Sequence, residues 1–213
     1  MRTADLIELL ARDVRATRPG GANRTLLAAL LAGGLVTFAL VALGLHCQPL
    51  LAAAQQPWFW MKAAYTGLLT VAGAIIVRRL SVPGTRVGAA PRVAGLVILA
   101  MLALGAGQVF SAAPSGRLTL WLGHTWKVCS PLILLLAVPI YAFLVAAIRR
   151  RLAPTRPALT GAAAGLTAGA LAATLYGLHC PEQAAAFVAT WYTLGIAAAA
   201  ALGAIAAGRL LRW

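Results

Sequence analysis

A chain of 213 residues that is 62% hydrophobic and 10% charged, with a mean hydropathy of +0.87, lacks the polar surface that a water-soluble globule of this size must present. Its net charge of +14 would suit nucleic acid, but the basic residues fall between apolar stretches and form no continuous aromatic-studded patch. Composition therefore excludes a soluble nucleic-acid-binding domain and makes lipid the solvent.

The chain opens on a polar segment, 1–24. Leu6, Leu9, Leu10 and Val14 recur at helical spacing beside Ile7, while Asp5, Glu8 and Asp13 are three of the four acids in the protein. Thr3 suits the start of such a helix and Pro19-Gly20 its end. One reading lays this short amphipathic helix on a membrane, with its arginines at the lipid phosphates. The other docks it into a partner, because anionic lipid repels the acids and a basic protein groove does not. The pattern alone leaves both open.

Six stretches follow, 25–45, 58–77, 93–112, 128–148, 159–178 and 186–208, each apolar and near the length needed to cross about 30 Å of hydrocarbon as a helix. No alternating strand pattern competes, so the expected fold is an all-α integral membrane protein: a six-helix transmembrane domain over 25–213 with three short outer connections. The first stretch has 24 residues before it and no processing context at its end, and is expected to remain as a span. Pro139 is expected to kink the fourth. In the fifth, Gly161, Gly165 and Gly169 recur every four residues among alanines, a surface suited to close helix packing, and Gly195 and Gly203 do the same in the sixth. Lys62 lies within the second span near its outer end, where its ammonium is expected to snorkel to the interface. No carboxylate pair stands at mid-membrane, which leaves proton-coupled transport little support.

Arginine density alternates. Arg2, Arg12, Arg15, Arg18 and Arg24 precede the first span, Arg78, Arg79, Arg86 and Arg92 follow the second, Arg149, Arg150, Arg151 and Arg156 follow the fourth, and Arg209 and Arg212 close the chain. The intervening segments hold Arg117 and Lys127. The positive-inside rule then places both termini in the cytoplasm. Trp58, Trp60, Trp121 and Trp126 are expected at the opposite headgroup level, and Trp213 at the cytoplasmic one.

With this topology every histidine and cysteine falls on the outer side, one of each per connection: His46 and Cys47 in "LGLHCQP", His124 and Cys129 in or beside the second, His179 and Cys180 in "YGLHCPE". Each pair read singly is a small hydrophobe and an interfacial residue at a helix end. Read together, in an oxidising compartment, they are thiols able to form a disulfide, or thiolates and imidazoles able to share a soft or borderline metal ion. There is no CxxC motif, and three cysteines leave one thiol over from any single pairing.

"RTADLIELLARDV", the region around "VCSPLILLL", and above all "LHCPE" followed by "FVATWYTLGI" and "GRLLRW" resemble the NrsF-like family of six-span bacterial inner-membrane proteins, over nearly the whole chain. The resemblance implies a negative regulator of an extracytoplasmic-function sigma factor. It implies that the cytoplasmic N-terminus holds the sigma factor, here through the face of Leu6, Glu8, Leu9, Leu10 and Asp13. It also implies that two periplasmic cysteines, matching Cys129 and Cys180, sense heavy-metal or oxidative stress. Cys47 with His46 is an addition to that two-cysteine pattern. The expectation is a multi-pass anti-sigma factor of the bacterial inner membrane, without catalysis, resident cofactor or direct nucleic-acid contact, binding zinc or a heavy metal at most transiently. The alternative is an integral-membrane thiol oxidoreductase or a small-molecule transporter, for which the sequence lacks a CxxC pair and a coupling group respectively.

Overall fold

The computed structural model describes residues 20–45, 47–82 and 84–211, together with Thr3 and Glu8. The first spanning element is α1, Gly21–Leu40, prolonged by one π turn, Val41–Leu45. A short helix α2, Leu50–Ala54, leads into α3, Pro57–Leu80, and then α4, Ala90–Ser111. After a 3-10 turn, Pro114–Gly116, come α5, Arg117–Leu122, and α6, Trp126–Arg151. The last two spans are α7, Pro157–Tyr176, and a rod made of α8, Ala185–Phe187, a π turn, Val188–Tyr192, and α9, Thr193–Leu210. Six of these segments are long and apolar enough to cross a membrane, as the sequence pattern predicts. The first two connections at the thiol end are not plain loops, since they carry α2 and α5.

Local chemistry sets the ends of these helices. Proline stands in the first turn of α3, α4 and α7, where its fixed φ suits helix entry and its missing N–H costs nothing. The helices that run toward the arginine end finish on Arg78 and Arg79, on Arg149, Arg150 and Arg151, and on Arg209, placing cations at the negative end of each helix dipole. Large apolar side chains such as Leu31, Leu35, Leu96, Leu99, Phe110 and Leu135 point outward. In water so broad an apolar surface would drive aggregation, and in hydrocarbon it is the solvated face.

The most enclosed helix is α7, which packs most extensively on α9 and also on α3 and α6, while α1 lies on α6 and α4 is the most peripheral. Small residues make the central seam. A Cβ on Gly161 would collide with Ala207, one on Gly165 with the Ala199 carbonyl, and one on Gly169 would lie 2.9 Å from the Ala199 Cβ. The α1–α6 seam is similar, with Gly33 facing the Ile140 Cα at 2.6 Å for an added Cβ. Pro139 does not interrupt α6, which runs from Trp126 to Arg151 through both Pro131 and Pro139. A proline removes one helical hydrogen bond and crowds the carbonyls of the preceding turn. The buried Thr37 hydroxyl donates to one of that turn's carbonyls, Leu136 O, at 3.0 Å. The wide turn at 188–192 is tied to α6 in the same manner, with Ser130 Oγ donating to Trp191 O at 2.7 Å.

Candidate functional site

The segment 177–184 that joins α7 to α8 has little regular structure, so its buried polar groups need partners from elsewhere. They come from both other connections at this end. Gln48 donates its backbone N–H to Leu178 O at 3.0 Å and its Nε2 to His179 O at 2.8 Å. Lys62 Nζ donates to Cys180 O and to Glu182 O, both at 2.9 Å. Glu182 Oε1 accepts the N–H groups of His124 at 2.7 Å and Thr125 at 3.0 Å, and the Thr125 hydroxyl at 3.2 Å. Gly123 permits this approach: its φ is +59°, and a Cβ there would sit 2.7 Å from Glu182 Oε2.

Lys62 is therefore not an interfacial snorkeller. It is 6% exposed, and Glu182 is 8% exposed. The ammonium turns inward because the irregular segment strands two carbonyls that only a long donor from α3 reaches. Lys62 binds the main chain of residue 182, whereas the carboxylate faces the second connection, so a single residue joins both neighbours.

Inside this frame lies a pair of free thiols. Cys129, in the first turn of α6, and Cys180, in the connection, are both 0% exposed. The Cys129 thiol donates toward the Cys180 sulfur, and this hydrogen bond is the main reason that the Cys180 thiol is pushed down from 9.0 to about 6. The Tyr192 hydroxyl and the Glu182 N–H facing this sulfur, and the charge of Lys62, act in the same direction, while burial opposes them. Tyr176 lies against Cys129, and its ring is 6.0 Å from that of Tyr192. The buried Tyr192 hydroxyl has no hydrogen-bond partner among the described residues, so a thiolate on Cys180 would complete its hydrogen bonding. Two sulfurs in mutual contact with one poised as thiolate can close a disulfide by a small approach, or hold a soft ion between them.

The structure thus joins Cys129 and Cys180 and leaves the other predicted sensing residues apart. The half-buried His179 ring lies 5.9 Å from Tyr176, the exposed His124 enters the network through its main chain, and Cys47 is half-buried on the edge of the core. His46, Leu6, Leu9, Leu10 and Asp13 lie outside the described residues, and Glu8 is helical and exposed. Among the described residues, no three His, Cys, Asp or Glu side chains form a group able to hold a metal ion.

Over residues 10–213 the sequence matches the model of a family described as "Negative regulator of sigma F", NrsF. The chain belongs to that family. It is 44% identical to the anti-sigma-F factor NrsF of Caulobacter vibrioides (strain NA1000 / CB15N) and 40% identical to the probable anti-sigma-F factor NrsF of Azospira oryzae (strain ATCC BAA-33 / DSM 13638 / PS), each over the full length of both chains. No solved structure matches. The NrsF match spans both thiols of the site, and also Gln48, Lys62, Tyr176, Glu182 and Tyr192, which the sequence reading missed. A signal for two of them was present: Lys62 is the one lysine inside a predicted span and Glu182 the one acid outside the N-terminal segment. The second connection is further held by tryptophans. The Trp191 ring packs at a 41° tilt against that of Trp126, with centroids 5.3 Å apart, and donates Nε1–H to Trp121 O at 3.0 Å, and Trp121 donates to Thr190 Oγ1 at 3.0 Å.

Proposed function

We propose that this chain is an anti-sigma factor of the bacterial inner membrane, with both termini in the cytoplasm, that holds an extracytoplasmic-function sigma factor through segment 1–24 and releases it when metal or oxidant reaches the periplasmic thiols. The family and the printed names of its relatives support the anti-sigma role, and the alternation of arginine supports the orientation. The observation that carries the sensing step is the enclosure of the Cys129–Cys180 pair by hydrogen bonds from all three connections.

A peroxide illustrates the chemistry. The Cys180 thiolate attacks one oxygen and expels hydroxide, which leaves as water after taking a proton, and the sulfur becomes a sulfenic acid. Cys129 then displaces the second oxygen as water, so two electrons pass from the sulfurs to the peroxide and a disulfide closes. A soft ion instead displaces both thiol protons and draws the sulfurs to itself. Either product shifts the start of α6 against the α7–α8 connection, and it changes the regulator only by favouring the releasing state over the holding one.

Pulldown from detergent-solubilised membranes, with mass spectrometry of the copurified proteins, tests this reading. The wild type should retain a sigma factor and lose it after treatment with peroxide or cadmium. Leu6→Asp with Leu10→Asp should lose it before treatment, because charge is placed in an apolar contact. Cys129→Ser, Cys180→Ser and their double variant should retain it throughout, to similar degrees. Absence of any sigma factor from the wild type would favour the oxidoreductase or transporter alternative, and normal release from the double variant would remove the dithiol from the mechanism.

A further inference from the structure

At the arginine end a cleft of about 980 Å³ opens between the start of α1, the segment after α3 and the end of α6. Arg24, Arg78, Arg79 and Arg151 line it, and among the described residues no carboxylate does. The 20-residue α1 begins in its wall without a side-chain cap, so the N–H groups of its first turn add to the positive field. Two further donors have no acceptor among the described residues. Arg79 is held by Nη1 donating to Arg86 O at 2.9 Å, which leaves its Nε buried and unpartnered. Ser81, 1% exposed, carries a hydroxyl with no hydrogen-bond partner. Buried donors are nearly always satisfied in native proteins, so two of them in one basic wall indicate a missing acceptor.

A second, apolar trough of about 450 Å³ begins at the same Arg24, Thr25 and Arg151 and runs between α1 and α6 along Ala28, Ala32, Phe143 and Ala147. A phosphate suits the cleft: its oxygens accept from a guanidinium, a hydroxyl and a helix N-terminus together. A phosphate attached to an acyl chain suits cleft and trough at once. The N-terminal leader suits the cleft poorly, because its Arg2, Arg12, Arg15 and Arg18 outnumber Asp5, Glu8 and Asp13. We propose that this end of the bundle is an anionic phospholipid site, with the headgroup phosphate held by Arg79, Ser81 and the start of α1, and one acyl chain lying between α1 and α6.

The full chain, reconstituted in nanodiscs of mixed phosphatidylglycerol and phosphatidylcholine, would be released and its retained lipids counted by native mass spectrometry. Wild type should retain phosphatidylglycerol selectively. Arg79→Gln with Ser81→Ala should lower that retention about fivefold, the scale expected for one arginine at an anionic surface. Ser81→Ala alone, which changes neither charge nor size appreciably, should lower it in the same direction. Arg92→Gln with Arg149→Gln removes charge outside the cleft and should leave retention unchanged. Ala32→Trp fills the trough and should also release the lipid, while inorganic phosphate still binds the protein and still requires Arg79. Equal losses in the cleft and control variants would overturn the site. Inorganic phosphate binding that requires Arg79, without selective phosphatidylglycerol retention by the wild type, would replace the lipid with a free phosphate; retention unaffected by Ala32→Trp would overturn the acyl-chain trough, and a rise in retention on deletion of residues 1–19 would make the leader the occupant.

Discussion

Beside the thiols, Glu182 gathers two backbone N–H groups and a hydroxyl, and Lys62 gathers two carbonyls; at the other end four arginines surround a cleft in which Ser81 Oγ and Arg79 Nε meet no acceptor. The two ends differ in what a small displacement costs. Where each polar group is shared between connections, moving one strands another in low dielectric, so the end moves as a unit or not at all. Where donors stand open, a ligand is taken up without breaking anything first. A bundle with one stitched end and one open end has the parts for passing a local chemical change along its length, provided that the α7–α9 seam between them is stiff.

Breaking that seam should have the largest effect. Gly165→Leu drives a side chain into the Ala199 backbone and should cost about 3 kcal/mol, read as loss of unfolding resistance in mixed micelles. Wild-type stability in that variant would mean that the seam does not join the two ends. The contrast between the ends is sharpened next. Glu182→Ala leaves the His124 and Thr125 N–H groups stranded, and Lys62→Met strands two carbonyls, each expected to cost about 2 kcal/mol. Arg78→Gln, at an exposed site whose side chain donates to Asn23 at 3.3 Å, should stay within about 0.5 kcal/mol. Equal costs at the two ends would erase the distinction.

The effect of pH is smaller and specific to the stitched end. Because the folded Cys180 thiol is pushed down to about 6 from an ordinary 9.0, its stabilising contribution is complete above pH 9 and is lost as pH falls through 6. Thiol consumption by peroxide should accordingly be half-maximal near pH 6, and Cys129→Ala, which removes the chief hydrogen-bond donor, should move the midpoint upward. An unmoved midpoint would detach Cys180 reactivity from its neighbour. The smallest effect is expected from Cys47→Ser, since Cys47 is only half-buried and stands outside the pair. Its peroxide response should match wild type in the same assay.

Much of this architecture was legible in the amino-acid order. Span lengths follow from hydropathy, and arginines sort the helix ends, because both properties are local sums over neighbouring residues. The meeting of Cys129 and Cys180 was legible only through resemblance, and of their surroundings the sequence marked only Lys62 and Glu182, as isolated charges without partners. Lys62 sits 118 residues from the Cys180 carbonyl that it binds, and its distance from a span end gave no hint that residues 177–184 fold over it. Glu182 stood out only as an isolated acid, because a carboxylate following Cys-Pro says nothing about two N–H groups near residue 124. For Pro139 the sequence names a missing donor but not the continuity of the helix around it, or the Thr37 hydroxyl on α1 that reaches the Leu136 carbonyl in the preceding turn.

The π turn at Val188–Tyr192 sets a phase within the last rod. Each residue of an α-helix advances the side-chain direction by about 100°, and a π turn accommodates roughly one residue more than an α-helical turn. On one side of it Phe187 faces Gly123 and the Glu182 loop; on the other Gly195 faces Ile133 and Gly203 faces Gly161. Were the same five residues 188–192 wound as ordinary α-helix, one half of the rod would be rotated against the other by about a quarter of a turn. Either Tyr192 would swing away from Cys180 or the glycine face would swing away from α7. The rod therefore carries two angular settings on one axis, and its length is constrained in residues as well as in ångströms.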